Sequence, residues 1–210
     1  NIEFDDVKRG EKPQVTLFLL NAGKKDYAPE LLHLPNYLTA KAEPATIRPG
    51  RVGKLVVTLK SNLLHGLGLT QSSVYLSRFA GDRVNKDNEL GISVTLLPNF
   101  TAAELSSPQA PLAEMATDVD LGAFNGKSKL KGIVLLANKG QSPLEIKMLQ
   151  VYNPGLSVSL PKTTLRPGET TEMKIVVSTA VDRFRGSRKV LLITNDPRHP
   201  KILVNVTTKK

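Results

Sequence analysis

Thr46-Ile47-Arg48-Pro49-Gly50 is followed 118 positions later by Thr164-Leu165-Arg166-Pro167-Gly168. Upstream of each stretch, Asn21-Ala22-Gly23 recurs as Asn138-Lys139-Gly140 with an offset of 117. Self-similarity at a separation of more than half the chain length is typical of a duplicated domain. The sequence therefore predicts two copies of one module.

Each copy consists of short apolar runs that end at turn residues. One run, Val15 to Leu20, stops at Asn21-Ala22-Gly23, and another, Met173 to Val177, follows Pro167-Gly168. Such runs are rich in β-branched residues and too short for helices. Pro followed by Gly favours a type II turn, because Pro fixes a negative φ and Gly tolerates the positive φ that comes next. The pattern predicts an all-β fold of two tandem immunoglobulin-like β-sandwich domains with about seven strands each.

The same pattern predicts where the modules begin and end. We expect one sandwich over residues 1–98, a linker over residues 99–111 and the duplicate sandwich over residues 112–210. Ser106-Ser107-Pro108 and Ala110-Pro111 give the linker a rigid, non-strand character, and residues 102–105 have room for one helical turn.

Composition limits the classes of function. No run approaches the roughly 18 apolar residues of a membrane-spanning helix. No signal sequence is visible, because Asn1 to Phe4 already have the pattern of a strand, and in a trimmed chain this says little about location. The chain has no cysteine, which excludes disulfides, thiolate catalysis and cysteine-based zinc sites. Aromatic residues make up only 5% of the chain, which argues against recognition of nucleic acid by base stacking. We expect no cofactor.

Charge is unevenly distributed along the chain. The net charge of +10 divides into 13 basic and 11 acidic residues in positions 1–105 and 16 basic and 8 acidic residues in positions 106–210. A basic second half favours an anionic partner or serves as a solubilising surface.

Two groups of basic residues are candidate binding residues for an anion or a partner. Lys127, Lys129 and Lys131 alternate, so a strand would present them on one face, where they would bind an anion or protect an edge strand from aggregation. The second group surrounds a predicted turn and has almost no charged counterpart in the first copy: Arg183, Arg185, Arg188 and Lys189. Loops often carry function on rigid scaffolds, although a solvated loop explains this group equally well.

The last strand of the first copy is a candidate for strand pairing. It alternates apolar and other residues, with the apolar positions Leu90, Ile92, Val94 and Leu96. An inward-facing core strand explains this alternation, and so does a strand that pairs with a partner's strand.

Other candidate sites are rejected on spacing. His33, His65 and His199 lie far apart and lack the paired spacing of metal ligands. Asp118-Val119-Asp120 resembles the start of a calcium loop, but position 12 of that loop would be Lys129, which would repel the ion. We expect no catalytic residue, no metal site and no enzymatic activity.

The second copy resembles a known family through Val119-Asp120-Leu121-Gly122, the Thr164–Gly168 stretch and Thr194-Asn195-Asp196-Pro197. These residues resemble the uncharacterised tandem Ig-like domain family of Bacteroides-like bacteria, whose members are secreted or lipid-anchored. That family is related in fold to major sperm protein and the Hydin-type domains. Many of its members carry a cysteine pair before the Pro-Gly turn, which this chain lacks, so a metal or redox role is not implied.

The resemblance implies a periplasmic or cell-surface location, with a signal or lipid anchor removed from the chain. We therefore expect a non-enzymatic binding or structural module that contacts another envelope or surface protein through loops or strand edges. Two alternatives remain open. One is a periplasmic assembly chaperone that pairs strands through Leu90–Leu96, which rests on fold-level analogy with pilus chaperones. The other is a binder of anionic cell-envelope polymers.

Overall fold

The computed structural model describes residues 1–179 and 188–209. The chain divides into two compact units, residues 1–96 and residues 97–210. Each unit is a β-sandwich, and the predicted all-β, immunoglobulin-like fold is confirmed.

The first unit contains seven strands among its described residues. One sheet has the order β1-β7-β6-β3 and the facing sheet has the order β2-β5-β4. The strand bounds are β1 Ile2–Lys8, β2 Gln14–Leu20, β3 Glu30–Leu32, β4 Leu38–Glu43, β5 Val52–Leu59, β6 Gly68–Ser77 and β7 Glu89–Leu97. Short 3-10 helices, Ser61–Leu63 and Lys86–Asn88, precede β6 and β7.

The second unit repeats this plan and adds two short strands, β8 and β13. Its sheets have the orders β12-β14-β10-β8 and β13-β11-β15-β16-β9. The strand bounds are β8 Ala113–Met115, β9 Asp118–Ala123, β10 Lys129–Asn138, β11 Leu144–Val151, β12 Leu156–Ser159, β13 Thr164–Leu165, β14 Thr170–Ser178, β15 Arg188–Thr194 and β16 Lys201–Lys209. By the sequence offset, β2 and β5 of the first unit correspond to β10 and β14 of the second.

Each unit has its own core, built from the inward-facing residues of both sheets. In β5, Leu55, Val57 and Leu59 are buried at alternate positions. In β14, Met173 and Ile175 do the same. This period of two follows from strand geometry, because successive side chains point to opposite faces of a sheet.

The segment between the strands of the two units contains the helical turn that the sequence predicted. Helix α1 spans Ala102–Ser106, and Thr101 caps it. The Thr101 hydroxyl accepts a hydrogen bond from the Glu104 amide while the Glu104 carboxylate accepts one from the Thr101 amide, a capping box. No helix in the described ranges is long and apolar enough to cross a membrane.

Candidate functional site

The repeated Asn of the first copy is a buried structural anchor. Asn21 follows β2, and its side-chain amide donates hydrogen bonds to the carbonyls of Ile47 and Lys25, both at 2.8 Å. Its Oδ1 accepts a hydrogen bond from the Gly23 amide at 2.9 Å. The backbone of Asn21 also accepts from the Gly50 amide at 2.8 Å. One side chain thus ties the end of β2 to the turn that precedes β5.

The second copy repeats this network at the expected positions. The Asn138 side chain donates to the carbonyls of Leu165 at 3.0 Å and Ser142 at 2.8 Å, and accepts from the Gly140 amide at 2.9 Å. The Gly168 amide donates to the Asn138 carbonyl at 2.8 Å. The repeated Asn-x-Gly motif therefore has the same structural role in both copies.

The Pro-Gly turns have the predicted backbone. Gly50 has φ of 71° and Gly168 has φ of 78°, values that favour glycine. The amides of Arg51 and Glu169 donate across their turns to the carbonyls of Arg48 and Arg166. Each turn is therefore closed by an i to i+3 hydrogen bond, and the positive φ of its glycine agrees with a type II turn.

The two copies differ at one sheet edge. In the second unit, β8 pairs antiparallel with β10, and Met115, Glu114 and Ala113 lie opposite Leu136, Ala137 and Asn138. In the first unit, β2 pairs with β5 on one side, and no strand in the described residues covers its other side.

Side-chain burial shows the same difference between the copies. The inward-facing Leu136 of β10 is 0% exposed. The equivalent Leu19 of β2 stays only partly buried, and so does Leu17. By the 117 offset, the counterpart of β8 would fall before Asn1, so the difference follows from the range of the given sequence.

A pocket of about 530 Å³ continues from this edge. Its walls are formed by residues 23–28 and 78–80 together with Asn21. Tyr27 lines the pocket and donates a hydrogen bond from its hydroxyl to the Ser77 carbonyl at 2.7 Å. Burial raises the pKa of the Tyr27 hydroxyl, and the Asp82 carboxylate raises it further. Phe79 is 59% exposed at the rim.

The segment before β8 occupies the equivalent place in the second copy. The amides of Lys139 and Gln141 donate to the carbonyls of Leu112 and Ala110, at 2.8 and 3.2 Å. The Ala113 amide donates to the Asp196 carboxylate at 2.9 Å, and Asp196 is fully buried. By the 118 offset that holds after the Pro-Gly turns, Asp196 corresponds to Arg78 in the first copy.

The charged loop between β6 and β7 is ordered by one ion pair. The Asp82 carboxylate accepts hydrogen bonds from the Arg78 guanidinium at 2.8 and 3.2 Å and from the Arg78 amide at 3.0 Å. Asn88 also donates to Asp82, at 3.3 Å. The hydrogen bonds from the Arg78 side chain and amide hold the pKa of the Asp82 carboxyl well below its usual range.

Asp82→Asn should lower the midpoint temperature of thermal unfolding at pH 7, and this difference from the wild type should disappear at acidic pH. The folded-state pKa of Asp82 is lowered, so its stabilisation is present above its unfolded pKa of about 4 and is lost as pH falls below that value. The midpoint difference between wild type and variant should therefore narrow from pH 6 to pH 2, measured by circular dichroism. Asp5→Asn, at an exposed position of β1, is the control. A difference that is constant across this range would contradict the assigned role of the ion pair.

The structure places only part of the predicted lysine row in a strand. Lys129 and Lys131 lie on the exposed face of β10. Lys127 lies before the strand, because Asn125 and Gly126 adopt positive φ and the Lys127 amide closes that turn onto the Phe124 carbonyl at 2.8 Å. The expectation of a single strand carrying all three lysines is corrected accordingly.

The four basic residues predicted around a turn do not form one described loop. Arg183 and Arg185 lie outside the described residues. Arg188 begins β15, is buried, and donates from its guanidinium to the Thr208 hydroxyl at 3.2 Å. Lys189 is the next residue of that strand and is half-buried. Arg188 therefore links β15 to β16 within the sheet and is not part of an exposed basic loop.

The strand predicted for pairing lies in the middle of its sheet. β7 is flanked by β1 and β6, so neither edge of the strand is open to a partner. Ile92, Val94 and Leu96 are buried in the core, and Leu90 packs against it. The core interpretation of Leu90–Leu96 accounts for the alternation, and the partner-strand interpretation fails at this strand.

The histidines and acidic residues have local structural contacts. The Nδ1 of His199 lies 2.9 Å from the Asp196 carboxylate, and the His33 ring packs edge-on against Tyr75. Asp120 accepts from the Gly122 amide and pairs with Lys209, in place of the rejected calcium loop. Among residues 1–179 and 188–209, no group of three acidic or histidine side chains has metal-binding geometry.

Sequence reasoning missed an exposed apolar patch on the outer face of the β2-β5-β4 sheet. Phe18, Leu20 and Val52 are 69%, 62% and 60% exposed, and we call them the outer patch. Leu20 lies directly opposite Val52, and the Lys54 ammonium lies 6.0 Å from the Phe18 ring centroid. The signal was present in the sequence, because Val15 to Leu20 lacks the polar alternation of a half-buried strand.

The second copy exposes two apolar residues on the outer face of β10, the counterpart of β2, and one of them matches the outer patch. Ile133 and Leu135 of β10 are 56% and 59% exposed, and Leu135 corresponds to Phe18. Exposed apolar residues that cluster mark interaction surfaces more often than scattered ones do.

Comparison with known proteins supports the fold. Residues 111–209 match the family model described as HYDIN/CFA65/VesB-like, Ig-like domain. No curated protein matches the chain. The structure is similar to a protein of unknown function from Porphyromonas gingivalis W83, with a TM-score of 0.73 and 20% identity over 100% of this chain and 96% of that one.

Two further matches are distant. The VesB protease of Vibrio cholerae aligns with a TM-score of 0.40 and 11% identity over 91% of this chain and 66% of that one. The E. coli chaperone DraB aligns with a TM-score of 0.32 and 10% identity over 97% of this chain and 93% of that one. Neither adds to the fold already described. The second copy thus matches a Hydin-type Ig-like domain, and the whole chain has the two-sandwich fold of the Porphyromonas gingivalis protein.

Proposed function

We propose that this chain is a non-enzymatic protein-binding module of the cell envelope and that the outer patch is its main contact surface. The observation that carries the proposal is the exposure of three large apolar side chains, Phe18, Leu20 and Val52, at 60–69% on adjacent strands. Burial of such a patch lowers the free energy by about 25 cal/mol per Å² of apolar surface. Contact with a partner protein would provide this burial.

The proposed location outside the cytoplasm rests on the resemblance to the Bacteroides-like family of secreted and lipid-anchored proteins. The proposed partner is another envelope or surface protein. An apolar patch favours a protein surface over an anionic polymer, because binding of a polymer depends on exposed cations. Lys129 and Lys131 remain on an exposed face, but Arg188, from the predicted basic turn, is buried.

A photoreactive residue placed at position 18 in the native host tests the proposal. The matched control places the same residue at Thr58, which lies on the outer face of the same sheet, away from the outer patch. We expect a discrete protein adduct at position 18 that is absent or much weaker at position 58. Equal adduct profiles at both positions would contradict the proposal.

Phe18→Ser combined with Leu20→Thr should abolish the adduct formed at position 52 while changing stability little. Substitutions of exposed side chains away from the core usually change the free energy of unfolding by no more than about 0.5 kcal/mol. Thermal unfolding and the yield of the adduct formed by a photoreactive residue at position 52 are the two measurements. An unchanged adduct yield in a folded variant would show that the outer patch is not the contact surface.

A further inference from the structure

Strand β10 of the second unit has a neighbour along only part of one side. β14 pairs with residues 129–137 on the first side, whereas β8 pairs only with Leu136 to Asn138 on the second side. After β8 the chain crosses to the facing sheet as β9 and pairs with β16 there. Among the described residues, no strand therefore pairs with residues 129–135 on the second side. We call these residues the open stretch, and it results from the course of β8 and β9 within the chain itself.

Backbone amides of the open stretch point away from β14. At one end of β10 the Ser128 carbonyl accepts a hydrogen bond from the Thr179 amide, next to β14. At the other end the Asn138 amide donates to the Glu169 carbonyl, again next to β14. Even-numbered residues of β10 thus face β14, and the backbone groups of successive strand residues point to opposite sides. The amides of the odd-numbered residues therefore face the uncovered side.

A cavity of about 660 Å³ lies beside the open stretch. Its lining includes residues 133–135 of β10, together with residues 114–116 and 118–120. These last two ranges contain the end of β8 and the start of β9. The structure therefore has room for an added strand at the point where β8 ends.

The other edge strands of this unit have features that protect an edge from pairing. β8, β12 and β13 have only three, four and two residues. The ladders that contain β9 and β11 are interrupted by register shifts. Short strands and bulges are two ways in which proteins prevent edge-to-edge pairing. The open stretch has neither feature, because the pairing of β10 with β14 runs over residues 129–137 without a shift.

Side chains divide the open stretch into a basic half and an apolar half. Lys129 and Lys131 are exposed on the outer face, and lysines on an edge discourage pairing. Ile133 and Leu135 are exposed on the same face, at 56% and 59%, so the apolar half lacks that protection. Directly opposite residues of an antiparallel pair share a face, where apolar pairs and opposite charges stabilise the pairing. The open stretch therefore fits a segment that is acidic at one end and apolar at the other.

We propose that the open stretch binds an extended segment of a partner polypeptide, antiparallel to β10. Acidic residues of the segment lie opposite Lys129 and Lys131, and apolar residues lie opposite Ile133 and Leu135. A second copy of this chain would bring the same lysines to the contact, so charge complementarity favours a different polypeptide. The inference rests on the proposed protein-binding function and adds a second contact surface of stated chemistry, in the second unit.

The probe is a designed, capped peptide with the sequence Val-Thr-Ile-Thr-Glu-Thr-Glu. It places Val and Ile opposite Leu135 and Ile133, and its two Glu residues opposite Lys131 and Lys129. The peptide is titrated into the isotope-labelled chain and followed by amide NMR, and we expect saturable shifts centred on the open stretch. The control peptide is methylated on the amide nitrogens of Ile and the first Glu. It cannot donate to β10 and should not bind.

A tethered peptide keeps the test decisive when the free peptide binds weakly. The chain has no cysteine, so Lys127→Cys, at an exposed position before β10, gives a single attachment site. The peptide is extended at its carboxyl end by Gly-Gly-Cys and joined to this site by a disulfide, which gives a high effective concentration. We expect the amides of Lys131, Ile133 and Leu135 to exchange about tenfold more slowly, or slower still, than with the methylated control attached.

Lys131→Glu tests the charge assignment. It places like charges opposite each other, so we expect the peptide to bind about fivefold more weakly. A peptide with Lys in place of the first Glu should restore binding to this variant. Lys86→Glu, at an exposed position of the first unit, makes the same change in net charge and should leave binding unchanged.

Protection confined to the open stretch, with the expected charge dependence, would support the inference. Equal exchange with the tethered peptide and its methylated control would overturn it, and so would equal binding of a peptide with Lys in place of both Glu residues. Protection that appears without peptide and grows with protein concentration would also overturn it, because the occupant would then be a second copy. If the position-18 adduct forms while the tethered peptide protects nothing, the outer patch stands as a contact surface and only this second site is lost.

Discussion

Asn138→Ala should destabilise the second unit by about 3 to 5 kcal/mol, because the substitution leaves buried backbone groups without partners. The side chain of Asn138 is fully buried and holds the carbonyls of Leu165 and Ser142 and the amide of Gly140. Each such group costs about 1 to 3 kcal/mol when it is left unsatisfied in the interior.

Urea unfolding followed by resolved amide signals of each unit is the measurement. Asn21→Ala makes the matched change in the first unit, where three hydrogen bonds of 2.8–2.9 Å are lost. We expect each variant to lower the unfolding free energy of the unit that contains it. A loss below about 1 kcal/mol would show that the repeated Asn is not the anchor described above.

Gly140→Ala should destabilise the second unit by roughly 3 kcal/mol, whereas Gly23→Ala should cost the first unit less than about 1 kcal/mol. The new Cβ at position 140 would meet backbone atoms at 2.4 Å, which can only be relieved by displacing residues 110–112 and with them β8. At position 23 the only contact is one side-chain oxygen at 3.2 Å.

The two glycine variants are compared by thermal unfolding and by the amide signals of Ala113 to Met115. Loss of those signals in Gly140→Ala would locate the damage at β8. Equal destabilisation by the two substitutions would mean that the corner beside Gly23 is as crowded as the one beside Gly140.

Local chemistry explains why the fold was predictable. The Pro-Gly turns and the Asn-x-Gly motif impose backbone conformations and hydrogen bonds within a short distance, so their repetition reports two copies of one sandwich. The helical turn at α1 was predictable for the same reason, because Thr101 and Glu104 form a local capping box.

Strand neighbours are non-local, so the sequence left open whether Leu90–Leu96 is a core strand or pairs with a partner's strand. The alternation of Leu90–Leu96 cannot distinguish an edge strand from a central one, and β7 proved to be central. Lys127 does not share the strand face of Lys129 and Lys131, because Asn125 and Gly126 form a local turn before β10. The uncovered β2 edge became visible only when the strand orders of the two copies were compared.

Residue-resolved amide hydrogen exchange on residues 1–210 tests the strand orders on which the account of both sandwiches rests, in which β10 has a second neighbour and β2 does not. The Asn21 and Asn138 amides both donate to the neighbouring turn, at 2.9 and 3.0 Å, so the flanking amides of each strand point the other way. We predict that Leu20 and Ala22 exchange fast in the unbound chain while Ala137 and Lys139 are protected. Equal protection of the two pairs would contradict the account, because it would show that the β2 edge is already covered.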